Sequence, residues 1–218
     1  MRIAVFGATG RTGHPLVEQA VERGHEVVAF VRDVTGLPST LRNDDRVSPI
    51  EGDAYTGEGV DRAIAGDGDP VDAVVSVLGQ TSDGPDDLLI EAGRHIRSAM
   101  NQHGVERLVT LVGAGVREEG ESVSLGGWVM GAVLKLLAGS VLEDARTHVE
   151  SIKRGDTQWT VVRGPRLTED AHTGEFRHGA DLSLGMRDTA ARANVAEFVI
   201  DCLEDDLYID EMPKIADA

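Results

Sequence analysis

Gly7-Ala8-Thr9-Gly10-Arg11-Thr12-Gly13 is the stretch whose residue types and spacing speak most directly of chemistry. Glycines three apart leave the backbone without Cβ atoms. Pyrophosphate oxygens can then approach the amides at the start of a following helix, where the helix dipole favours negative charge. Thr9 and Thr12 add hydroxyl donors. The reading depends on a strand before the stretch and a helix after it. Arg2-Ile3-Ala4-Val5-Phe6 is a short apolar, β-prone run, and Leu16, Val17, Ala20 and Val21 recur at helical spacing between Thr12 and Arg23. In that setting the stretch implies a dinucleotide grip.

Strand and helix patterns alternate along the rest of the chain, which implies a Rossmann-type α/β fold: a doubly wound parallel sheet with a small C-terminal substrate-side region. The expected strands are Glu26–Val31, Val47–Ile50, Val71–Leu78, Arg107–Val112 and Trp159–Arg163, with Pro49 marking the third as an edge. Short strands at Phe176 and over Leu182–Met186 and a closing strand at Leu207–Ile209 complete the sheet. Helices are expected over Val60–Ala65, Asp86–His103, Asp144–Arg154 and Ala193–Leu203, the last with Cys202 on its buried face. Gly120–Gly127 reads as a loop. Trp128–Leu142 is strongly apolar but shorter than the roughly 20 residues that span a bilayer, so it reads as a lid or dimer-facing segment, with membrane association as the other reading. At 218 residues the chain is expected to be one domain, with substrate-side segments at about 117–143 and 164–189 and no signal peptide.

Ligands of an open parallel sheet sit beyond the carboxyl ends of its strands. Those ends carry Gly7–Gly13, Val31-Arg32-Asp33, Gly52-Asp53-Ala54, Val77-Leu78-Gly79-Gln80, Val112-Gly113-Ala114-Gly115 and Arg163-Gly164-Pro165-Arg166. An acidic residue after the second strand would bind the ribose hydroxyls of NAD, whereas Arg32 can pair with the 2′-phosphate of NADP. NADP(H) is therefore expected ahead of NAD(H). The alternative is a surface arginine beside Asp33.

Tyrosine supplies an exclusion. The usual short-chain dehydrogenase acid is a tyrosine four residues before a lysine, and neither Tyr55 nor Tyr208 has that partner. A reaction that needs only hydride from the cofactor stays open, with flavins and quinones as acceptors of that kind. His148, His172 and His178 fall in segments expected to border a substrate pocket, and each can donate a proton. His14, His25, His95 and His103 read as surface or packing residues. No spacing suggests a metal site, and no nucleophile elbow is present.

The formal charge is −17, from 38 acidic and 21 basic residues, and only three of the basic ones are lysine. This balance argues against nucleic acid, whose binding needs a basic footprint. Dispersed acidity with scarce lysine resembles proteins of salt-accumulating halophiles. A single cysteine excludes a disulfide framework. A cytoplasmic protein with a small-molecule substrate is expected, monomeric or homodimeric.

Taken together, Gly7–Gly13, Val31-Arg32-Asp33, Gly52-Asp53, Asp144, the run Trp159–Thr168 and Ala191-Arg192-Ala193-Asn194-Val195-Ala196 resemble the atypical short-chain dehydrogenase family of NAD(P)H-binding proteins. Within it they look most like flavin reductase and biliverdin-IXβ reductase, with NmrA-like regulators as a second likeness. The resemblance implies that Gly10, Arg11 and Thr12 hold the pyrophosphate, Arg32 the 2′-phosphate, Asp53 and Ala54 the adenine, and Val77, Leu78 and Gly79 the ribose. Family members carry serine after the fifth strand, where this chain has Val112 and Gly113. The family's Arg-Pro after the sixth strand is altered to Arg163-Gly164-Pro165. The expected activity is NADPH-dependent hydride transfer to a planar acceptor, with Trp128, Met130, Arg166 and His172 as pocket walls. His148, Arg166 and His172 are the catalytic candidates. A non-catalytic NADP-binding sensor and a nucleotide-sugar epimerase are the alternatives, the last lacking the tyrosine acid.

Overall fold

The computed structural model describes residues 1–66, 68–80, 84–118 and 139–218. The expected loop at Gly120–Gly127, and the Trp128–Leu142 segment up to residue 138, lie outside the described residues.

Six parallel strands run in the order β3-β2-β1-β4-β5-β6: β1 Arg2–Phe6, β2 Glu26–Val31, β3 Val47–Glu51, β4 Ala73–Ser76, β5 Arg107–Gly113 and β6 Gln158–Gly164. Beyond β6 the sheet is extended by two strands. One is the later β10 (Lys214–Asp217), parallel to β6, and the other is β8 (Phe176–Gly179), antiparallel to β10. A separate parallel pair joins β7 (Arg166–Thr168) to β9 (Thr189–Ala191). The sheet is the doubly wound Rossmann arrangement that the alternation implies.

Its central strands are largely apolar because both faces are covered. Ile3 and Val5 of β1 pack into one core with Val27, Ala29 and Val31 of β2. That core also holds Leu16, Val17 and Ala20 of α1 (Gly13–Glu22) and Val195, Val199 and Ile200 of α6 (Arg192–Glu204). Ala4 and Phe6 face the other way, with Val28 and Phe30, against α3 (Val60–Ala65), α4 (Leu88–His103) and α5 (Gly139–Lys153). The remaining helix, α2 (Ser39–Arg42), is a single turn before β3. Pro49 sits opposite Ala29 on β3, an edge strand of the sheet, where a missing N–H costs no ladder bond.

Three expectations are corrected. Leu207–Ile209 is a turn, and the closing strand is β10. Asp206, Tyr208 and Asp210 are left-handed (φ 50°, 55° and 60°), and the Leu207 and Tyr208 carbonyls accept from Thr160 Oγ1 at 3.1 and 3.0 Å. Those carbonyls serve side chains instead of a ladder. Leu182–Met186 is not a strand, and Met186 is 69% exposed. Gly139–Leu142 is helical and continuous with α5, so that helix starts before Asp144.

Candidate functional site

The sheet order reverses between β1 and β4, and this is where an open α/β sheet offers a crevice. The β1–α1 turn fills one side of it. Gly7 has φ +90°, and a Cβ there would meet the Val77 backbone at 3.0 Å. A Cβ on Gly13 would lie 2.0 Å from the Gly7 carbonyl oxygen. The turn closes through Gly10 N–H donating to the Gly7 carbonyl at 2.9 Å. No side chain caps α1. Its N-cap, Thr12, instead accepts a hydrogen bond from Arg192 Nη1 at 3.0 Å. These close approaches pack the turn tightly against β4 and the head of α1, and a glycine turn at a helix N-terminus is chemically suited to a pyrophosphate.

The other strand-end positions gather along the same edge. Val77 follows β4, and its N–H donates to the Phe6 carbonyl at 2.9 Å; Leu78 and Gly79 come next. Asp53 and Ala54 follow β3. The Asp53 carboxylate accepts the Tyr55 amide at 2.9 Å, and Ala54 is buried. Gly113 ends β5 in register with Gly164 of β6, and Pro165 follows. Val112 points into the core on the α3–α5 side, whereas a Cβ on Gly113 would meet nothing within 4 Å.

After β2, Arg32 and Asp33 have opposite fates. The Asp33 carboxylate accepts both the amide (2.8 Å) and the hydroxyl (2.7 Å) of Thr35, capping the short turn Val34–Gly36. These bonds hold its carboxyl below the usual carboxylate range. His14 Nε2 donates to the Gly36 carbonyl at 3.1 Å, and Gly36 packs against Thr9, so the β2 loop leans on the glycine turn. Arg32 is exposed and has no hydrogen bond or ion pair among the described residues.

The catalytic candidates scatter. Arg166 opens β7 just beyond Pro165 and is exposed at the edge. His172 lies on the outer surface of α6, bonded to Glu197 at 2.6 Å, away from the crevice. His178 bonds the Tyr208 hydroxyl at 2.8 Å and stacks on Phe198, so both rings belong to the β8–β10 side.

His148 is corrected as a proton donor. Its ring is buried between α4 and α5, in a notch left by Gly93 and against the Leu89 backbone. Burial, with the nearby Arg97 charge, pushes its pKa down to about 4. The ring is neutral at pH 7 and behaves as a packing group. The unfolded chain takes up that proton near pH 6.5, so the stabilisation is complete above this value and fades as the pH falls toward 4. We expect the melting temperature to fall over this range, by the equivalent of up to about 3 kcal/mol. A His148→Leu variant should show a shallower fall, and parallel pH curves for the two proteins would refute the assignment.

Gln80 at the β4 end and Asp144 are joined by a contact that no stretch of sequence contains. The buried Asp144 carboxylate, on α5, accepts the Leu89 and Ile90 amides at 2.9 Å each and Gln80 Nε2 at 2.8 Å. It caps α4 from another helix and pins the loop after β4. Burial pushes its carboxyl up against the pull of those amides. Asp144, Ala145, His148, Val149 and Ile152 are the buried residues of α5. That one-face spacing is the signal that could have placed both Asp144 and His148 inward.

Residues 7–206 match the model of a family described as NAD(P)H-binding. The chain belongs to that family. The atypical short-chain dehydrogenase resemblance is thereby supported. Among curated relatives, the chain is 35% identical over 115 residues to the uncharacterised protein YwnB of Bacillus subtilis, covering 53% of this chain and 48% of YwnB. The chain thus spans about half the length of that relative. It is 27% identical over 215 residues to the uncharacterised chloroplastic protein At2g34460 of Arabidopsis thaliana, covering 93% and 71%. Among solved structures, a short-chain dehydrogenase/reductase of Veillonella parvula in complex with NADP matches with a TM-score of 0.77 at 18% identity, covering 98% and 93% of the two chains. That likeness shows the fold. Among the described residues, no cluster of three or more His, Cys, Asp or Glu could hold a metal, and no helix is long and apolar enough to cross a membrane.

Proposed function

We propose that residues 1–218 act as one NADP(H)-binding oxidoreductase that passes hydride to a planar acceptor such as a flavin or quinone, with the segments 117–143 and 164–189 on the acceptor side. When bound, the reduced nucleotide supplies the hydride. In this reading Gly7, Thr9, Gly10, Arg11, Thr12 and Gly13 hold the pyrophosphate, and Arg32 holds the 2′-phosphate. Asp53 and Ala54 border the adenine, while Val77, Leu78 and Gly79 border the ribose. Val112, Gly113 and Pro165 back the nicotinamide, and Arg166 faces the acceptor.

The observation that carries the reading is the chemistry of the β5–β6 edge, where the described strand-end residues Gly113, Gly164 and Pro165 carry no proton-donating side chain. Tyr208 is engaged with His178 on the β8–β10 side, and Tyr55 follows β3 on the adenine side. A reaction that draws its proton from water suits such a site. Asp33, turned into its own loop, supports NADP over NAD.

The same strand-end residues favour a second reading, an NADP-binding regulator without turnover. Assays of NADPH oxidation with FMN, a quinone and a tetrapyrrole separate the two. Turnover with one of these acceptors is expected. Tight nucleotide binding with no turnover on any of them would replace the enzyme by the regulator.

A further inference from the structure

We infer that Glu169 is a built-in anion that competes with the nucleotide's phosphates for Arg11 and is held in place by Arg192. The inference rests on the cofactor-binding reading above. Glu169 follows β7, and its Oε1 accepts from Arg192 Nε at 2.8 Å and from Arg11 Nη1 at 3.3 Å. Arg192 opens α6 and also reaches across to Thr12 Oγ1 at the head of α1. One carboxylate oxygen therefore sits between two guanidinium groups beside the glycine turn.

The three side chains are held unequally. Arg192 is 14% exposed, whereas Glu169 is 59% and Arg11 is 74% exposed. Arg192 makes two contacts and is the fixed member. Arg11 is the exposed arm, held by one long contact. A guanidinium binds phosphate oxygens through two parallel bonds, which are stronger than a single long bond to a carboxylate. The phosphate can thus win Arg11 while Glu169 stays on Arg192, but the nucleotide binds against a standing competitor. An exposed pair of this kind is worth little, so the competition tunes affinity without blocking binding.

The test uses the whole protein, with NADPH and NADH dissociation constants measured by fluorescence titration for the wild type, Glu169→Gln and Glu169→Ala. Melting curves show that each variant is folded. Both variants should bind both nucleotides about two- to fivefold more tightly than the wild type at low salt. The gain should shrink near 1 M KCl, where the screening length is about 3 Å. Equal or weaker binding by both folded variants, with normal wild-type binding, overturns this inference alone. A wild-type protein that binds neither nucleotide overturns the cofactor reading as well.

Discussion

Arg32→Ala raises the dissociation constant for NADPH by about 10- to 100-fold and leaves that for NADH within about twofold. The range follows from the about 1.5–3 kcal/mol that a hydrogen bond to a charged group contributes, each 1.4 kcal/mol being tenfold. The asymmetry is the informative part. NADH lacks the 2′-phosphate, so a side chain that only supports the β2 loop would affect both nucleotides alike. Asp33 cannot substitute, because its carboxylate is committed to the amide and hydroxyl of Thr35. Equal losses for the two nucleotides, read by the same titration, would remove Arg32 from the phosphate. An Arg32→Asp variant that gains NADH affinity would strengthen the assignment.

Gly13→Ala should be more damaging, costing about 3 kcal/mol or more of stability and weakening both nucleotides about 100-fold or beyond. Its Cβ would sit 2.0 Å from the Gly7 carbonyl oxygen and 2.8 Å from backbone atoms of Ala8. The obstacles are backbone, so no side chain can swing aside, and α1 must back away from β1. Gly179→Ala is the control, because a Cβ there makes only ordinary contacts with Leu182 at 3.9 and 4.0 Å. Thermal melts and titrations of the two variants together separate a close-packed turn from a general intolerance of glycine replacement. A Gly13→Ala protein that melts and binds like the wild type would show that the turn has slack.

What could be read from the sequence was local. β1, β2, β4, β5 and β6 were visible because residues buried on two faces leave unbroken apolar runs, and the β1–α1 turn because its glycines are adjacent in sequence. The same locality misled at Leu207–Ile209. Its β-prone side chains look like a strand, yet Arg107 Nη2 and Thr160 Oγ1 take its carbonyls from 100 and 47 residues away. Asp144, Glu169 and Arg192 act on Leu89, Arg11 and Thr12 respectively, and no window of sequence contains those pairs. His148 differs for a simpler reason: its neighbours in sequence suggest a pocket, whereas the helical spacing puts it on the buried stripe of α5.

The capping of α6 has a consequence for how the molecule assembles. Ala191 offers no side-chain cap, and its amide donates to the Asp217 carboxylate at 2.9 Å, with Asn194 Nδ2 joining at 2.8 Å. The helix that presents Arg192 to Thr12 is thus secured by β10. Contacts so distant in sequence form slowly, because the intervening loops must close before any bond repays the lost entropy. The glycine turn can take shape early from β1 and α1, but its arginine partner arrives only after β10 has docked on β6. The brace from Arg192 to Thr12 is then expected to form late, and a probe of that contact during refolding would report the completion of the sheet.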